Sequence, residues 1–403
     1  MKKFNFYTNC LYIILFGLFC YIFTKLYFSH EQELYYCDIV EYNMFYYDFA
    51  KSFWIDPINT LKDLFNNIYS LSRNPFLCLF LIPFYPIFGE SRDSFIFLIE
   101  IIFMLPALLL TLHIVLNYID DKIGNSSFPL KLAFCSSIFL LPAIWNVVLN
   151  GIPDICGMPF ILLAFIIYFK NRLDSKISIK ITLLLALCLY LPFLMRRWYS
   201  IAIFVFFSSV FIENLISAIV SFKNIKEFLK KILYTIINIS TTSALIIGLA
   251  YFIQHDYIKK IVQLEAQERA LYIVQYNQWS KLIIEDIGII GIIFAIIGII
   301  YFIKKSNLRF IFLNAFLYLF TFIIIMNNQF LWINHFLFFA FCFVMLFSSG
   351  IYFVNSSLPN KITKGIFLSA IIVFNLYNFS GAFIYEKQKI LYLLVPLFLV
   401  YRN

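Results

Sequence analysis

Residues 199–231 read YSIAIFVFFSSVFIENLISAIVSFKNIKEFLKK, and this stretch decides the fold. At about 1.5 Å per helical residue, the apolar run 199–220 is long enough to cross a hydrocarbon core of about 30 Å. Lys223, Lys226, Lys230 and Lys231 follow at once, which is how a loop kept on the cytoplasmic side is marked. Working outward, comparable apolar runs stand at 7–28, 95–118, 131–149, 155–169, 181–195, 232–253, 287–303, 310–326, 335–354 and 365–384, with a shorter one at 390–401. The expectation is an all-α, polytopic integral membrane protein of eleven or twelve transmembrane helices, a single domain over 1–403.

Composition agrees. Of the 403 residues 62% are hydrophobic, 21% aromatic and only 13% charged, far outside the soluble globular range. Phe is abundant (51) and Gly scarce (12), which favours long helices over a barrel of short alternating strands. The formal charge of +9 is not a nucleic-acid signal, because it is distributed by loop. With the N-terminus placed in the cytoplasm, the inward segments 1–6, 119–131, 170–180, 221–231, 304–309 and 355–364 hold most of the Lys and Arg. The outward segments hold most of the Asp and Glu, as the positive-inside rule requires. Lys2-Lys3 ahead of the first run resembles a signal peptide, but no small-x-small cleavage site follows, so that run reads as a retained anchor. The eight cysteines are scattered, without CxxC pairing, and read as small apolar fillers.

Two outward segments are long enough to do more than turn: 29–94 and 254–286. In the first, Leu61, Leu64, Phe65, Ile68 and Leu71 recur at helical spacing between polar residues, the pattern of an amphipathic helix on the membrane surface. The apolar stretch from Pro75 to Gly89 is broken by Pro83 and Pro86 and is too kinked to cross. The second mixes Lys259, Lys260, Glu265, Glu268 and Arg269 with Tyr257, Tyr272, Tyr276 and Trp279, as an interfacial cap would.

The polar residues of the outward face are few, so the chemistry must be among them. Asp38 and Glu41 follow the first span and share a face if helical. Such a pair is either solvated surface or a base for a hydroxyl. Arg196-Arg197-Trp198-Tyr199 joins two spans with almost no linker; its guanidiniums suit a phosphate or snorkel to lipid headgroups beside an aromatic belt. Asp154, in the turn Asn150-Gly151-Ile152-Pro153-Asp154, is a helix cap or a wall of the same site. Gln329 and His335 stand at the entrance of the tenth span, and Arg73 adds an outward cation. Glu100 lies inside the second span, where an unpaired carboxylate is costly, so it faces protein or water, with one of these arginines as a candidate partner. No Gly-rich phosphate loop, HExxH, GxSxG, DxD or paired metal-ligand cluster is present.

The order of these motifs resembles that of bacterial membrane glycosyltransferases of the GT-C superfamily, notably the family 39, protein O-mannosyltransferase-like group. The matching pieces are Asp38-x-x-Glu41-Tyr42; Arg73-Asn74-Pro75-Phe76-Leu77 through Phe84-Tyr85-Pro86-Ile87-Phe88-Gly89-Glu90-Ser91; Gly151 to Gly157; the Arg-Arg-Trp-Tyr junction; and Gln329 with His335. Many relatives place the two acids adjacent and carry a C-terminal outward domain, whereas here the acids are three apart. The resemblance implies an inverting sugar transfer from a polyprenyl-phosphate donor to an extracytoplasmic glycan, lipid or protein, at the bacterial cytoplasmic membrane with the site facing outward. It implies Asp38 as base, with Glu41 supporting it, positioning the acceptor or sharing an optional divalent cation with it. Arg73, Asp154, Arg196, Arg197, Tyr199, Gln329 and His335 would bind donor phosphate or acceptor. No cofactor is required, and membrane lipids but no nucleic acid are expected partners. A membrane polysaccharide polymerase or ligase is the rival enzyme. A lipid or sugar transporter is the rival class, but it would need midplane polar groups in symmetric halves.

Overall fold

The structure, a computed structural model, describes residues 6–30, 38–70, 75–119, 127–256, 287–305, 308–326 and 333–385. It is all-α, with no strand among the described residues, and is a multi-pass membrane protein. The long helices are α1 (Phe6–His30), α2 (Asp38–Ile55), α3 (Pro57–Ser70), α4 (Arg92–Tyr118), α5 (Phe128–Leu149), α6 (Pro153–Lys170), α7 (Ile179–Met195), α8 (Tyr199–Val220), α9 (Ile225–Ile253), α10 (Ile289–Lys305), α11 (Leu308–Met326), α12 (Ile333–Ser357) and α13 (Lys361–Tyr385). Seven of them, α4, α5, α6, α8, α9, α12 and α13, are long and apolar enough to cross a membrane by length and composition. The shorter apolar helices pack among these, and α2 and α3 lie between the first and second runs. The expected run at 390–401 and nearly all of the second long segment lie outside the described residues.

Helices in a bilayer pack without a hydrophobic drive of their own, so association depends on close approach and buried polar contacts. Gly298 of α10 and Gly350 of α12 let two backbones touch. A Cβ on Gly350 would fall 1.9 Å from the Phe294 carbonyl oxygen, and one on Gly298 would fall 2.1 Å from that of Leu346. Asn375 of α13 donates to Ser136 and Ser137 of α5 at 2.9 and 3.0 Å, a buried tie between distant parts of the chain. Pro142 interrupts α5 and has no N–H to offer, so the carbonyls of the preceding turn need other donors. Trp145 supplies one, its indole N–H donating to the Phe139 carbonyl at 2.7 Å, while Phe16, Phe19, Phe23 and Phe379 surround the ring.

The first long segment is more structured than its hydropathy suggests. α2 buries Tyr42, Tyr46 and Ala50, four residues apart, against the chain that follows; the Tyr46 hydroxyl donates to the Gly89 carbonyl at 2.9 Å. α3 is the amphipathic helix, but its buried stripe is Thr60, Leu64 and Ile68, while Ile58, Phe65 and Tyr69 form a second, exposed apolar face. Asp56 caps α3, and hydrogen bonds from Asn59 hold its carboxyl below the usual carboxylate range. That cap is present at neutral pH and is lost as acidification passes below that range. Residues 75–88 form a string of single helical turns broken at the prolines rather than a crossing.

Candidate functional site

At one end of the bundle the side chains of Arg196, Trp198 and Tyr199 converge on Asp154. Gly151, at φ 73°, ends α5 in the left-handed conformation, its N–H donating to the Val148 carbonyl at 2.8 Å. The chain then reverses directly into the turn 153–157 that opens α6. Asp154 is fully buried there, and its carboxylate serves as an acceptor rather than as the cap of that turn. Oδ1 accepts Arg196 Nε at 3.1 Å and also the indole N–H of Trp198. The Tyr199 hydroxyl donates to the Asp154 carbonyl oxygen.

Sequence makes this possible at two positions. Arg196 leaves α7 in an extended conformation just after Pro192, and the tight turn 196–199 turns its side chain and that of Trp198 back on Asp154. Gly157 makes room: a Cβ there would lie 2.4 Å from Cζ of the Tyr199 ring. The Trp198 and Tyr199 rings stack at 4.7 Å, and both present to Phe338 of α12 at 5.2 Å. Trp198 and Tyr199 are therefore ring packing around a buried carboxylate, not an aromatic belt.

Tyr42 joins this hub to α2. Its buried hydroxyl accepts Arg196 Nη1 at 3.4 Å, and the guanidinium carbon lies 5.5 Å from the ring centroid. Asp38 is the first residue of α2, one turn before Tyr42 in the chain, and Glu41, next to Tyr42, is half-buried. Two carboxylates in the first turn of a helix are favoured by its dipole. Tyr42 thus ties α2 to the Asp154–Arg196 pair.

The two arginines differ. Arg196 is 13% exposed and committed to Asp154 and Tyr42. Arg197 is exposed, and its guanidinium makes no hydrogen bond or ion pair among the described residues. His335 stands in the first turn of α12, one turn before Phe338; its side chain, like that of Asp38, lies outside the described residues, as do Arg73 and Gln329 altogether. Glu100 does not meet an arginine among the described residues: its Oε1 accepts the Thr24 hydroxyl at 2.7 Å.

Tyr42, Trp198 and Gly157 are the members that a search for charged groups passes over. A tyrosine four residues after an acid at a helix start is the signal that could have found the first. No protein-family model and no curated protein matches the chain.

Proposed function

We propose that this protein is an inverting glycosyltransferase that moves a sugar from a polyprenyl-phosphate donor to an acceptor outside the cytoplasmic membrane of a bacterium. The observation that carries the reading is the tie that Tyr42 makes between α2, the helix that opens with Asp38 and Glu41, and the Asp154–Arg196 pair, with Arg197 exposed next to that pair. In this reading Asp38 takes the proton of the acceptor hydroxyl as the oxygen attacks the anomeric carbon, and the lipid phosphate leaves on the opposite side. A single in-line displacement inverts the centre and needs one carboxylate only. Glu41 positions the acceptor. Arg197 meets the charge that develops on the departing phosphate. Arg196 acts through Asp154 and Tyr42 as a positioning residue. His335, Arg73 and Gln329 complete the donor or acceptor contacts. Should a divalent cation bind, Asp38 and Glu41 are the carboxylates that would hold it.

The orientation follows from charge. The loops at the end opposite Asp154 carry Lys170, Lys176, Lys180, Lys223, Lys226, Lys230 and Lys231, which supports a cytoplasmic position for that end and an outward one for the site.

The test uses membranes carrying the full chain, wild type or Asp38→Asn, and a panel of labelled polyprenyl-phosphate sugars. Consumption of one donor by wild type, and its loss in the variant, supports the reading. If no donor is consumed, the transferase assignment fails. If the variant retains full activity, the base mechanism fails and a polymerase or ligase that works through arginine takes its place.

A further inference from the structure

Three carboxylates are buried within the apolar helices among the described residues, and two have evident company. Asp154 has Arg196, and Glu213 of α8 accepts the Tyr168 hydroxyl at 2.9 Å close to Arg172. Glu100 of α4 differs. It is fully buried, Thr24 is its hydrogen-bond partner, and Oε2 has none among the described residues. Eight residues into α4 it lies about 12 Å below the start of that helix. A lone carboxylate at that depth is costly unless something positive joins it, and such residues ordinarily mark an ion or proton path.

Two further observations bear on the same spot. The helix changes its winding there, as it does again at 115–119: residues 100–104 form a π-turn, with the Leu105 N–H reaching back to the Glu100 carbonyl. Such turns are rare and concentrate at functional sites. A narrow cleft also opens between α1 and α4, lined by Tyr21, Thr24, Lys25, Phe88, Asp93 and Phe97. Lys25 and Asp93 pair at its lip, and Thr24, in its wall, is the residue that touches Glu100. Thr24 is thus shared between the wall of the cleft and the hydrogen bond to Glu100.

We propose that Glu100 and Thr24 form a binding site for a small monovalent cation, a proton or a sodium ion, entered through the cleft between α1 and α4. The charged and titratable groups around it are otherwise occupied or inert. On α1 these are buried Cys20 and the Asp93-paired Lys25; on the turn 153–157, against which the π-turn packs, they are Cys156 and the Arg196-paired Asp154. The proposal does not depend on the transferase reading.

The experiment is infrared difference spectroscopy on the full chain in lipid nanodiscs, wild type against Glu100→Gln, in potassium buffer from acid to alkaline pH and then with sodium replacing potassium. A carboxylic-acid band that is absent in the variant and disappears on alkalinisation identifies the proton. A carboxylate band, absent in the variant, that shifts when sodium is added identifies the sodium ion. Thr24→Val, which keeps the volume, should move the midpoint of whichever response is seen, and it serves as the reference if Glu100→Gln does not fold. A Glu100 carboxylate band indifferent to both pH and sodium overturns the proposal.

Discussion

Two polar clusters, at opposite ends of the bundle, are built from the same parts and put together differently. At one end Asp154 holds Arg196, forty-two positions away in sequence, together with Trp198, and a second arginine is left exposed beside them. At the other, Arg172 clasps Asp174 two residues on, through two contacts of 3.1 Å, and reaches Ser217 at 2.7 Å. Asn238 of α9 closes that end by donating to the Leu173 and Lys176 carbonyls. The second cluster is a staple: a short loop is folded onto α8 and α9, its main polar groups answered from within. The first joins α2, the α6 turn and the α7–α8 junction, and leaves charge over. An ion pair whose partners come from separate elements, with a spare cation at its edge, is what the proposed function draws on and what a fastening lacks.

That distinction predicts unequal costs. Asp154→Ala strands Arg196, 13% exposed, without its counter-charge, and breaking a buried pair from one side costs about 3–5 kcal/mol. Thermal unfolding of the purified variant in detergent should show a larger drop than that of either Asn238→Leu or Arg197→Gln. A cost no greater than that of the surface-type pair Arg172–Asp174, whose arginine is 44% exposed, would erase the contrast between the two ends.

Asn238→Leu comes next. The residue is 1% exposed, and its removal leaves two backbone carbonyls in an apolar setting without donors, worth about 1–3 kcal/mol. The expected outcome is lower thermal stability with the turnover of the remaining folded protein unchanged, because a staple holds without taking part. Turnover falling in step with Asp38→Asn would mean that the lysine-rich end belongs to the site.

How far each cluster can be read from sequence follows from the same contrast. The runs are legible because length and hydropathy alone define them: 199–220 and α8 coincide, and the Gly89 and Pro83–Pro86 breaks fall where turns replace helix. α9 starts at Ile225 rather than 232 because Asn224 caps it, accepting the Glu227 N–H at 2.8 Å, and because lysines are good helix formers that lower hydropathy without ending the helix. The Asp154 end shows itself in the sequence as arginines in a segment that the charge pattern assigns to the outward side. Which arginine is committed is not legible, since that depends on the backbone turn at 196–199. The Arg172 end is invisible for the opposite reason: in KNRLDSK the charges satisfy the loop rule, so nothing is left to explain. Glu100 is visible as a charge out of place, but its partner on α1 is seventy-six positions distant and has no charge to betray it.

Arg197→Gln has the smallest expected effect on stability and is the sharpest test of the contrast. An exposed side chain without a hydrogen bond or ion pair among the described residues should change stability by no more than about 0.5 kcal/mol. If its charge is the one left over for a leaving phosphate, turnover of the polyprenyl-phosphate donor should nevertheless fall about a hundredfold, the usual consequence of removing one donor to a developing oxyanion. Arg197→Lys should recover part of that loss, since a point charge replaces a forked donor without its geometry. Full turnover in Arg197→Gln would mean that the exposed guanidinium serves only lipid headgroups, and the spare cation would then mark the membrane boundary instead of a substrate.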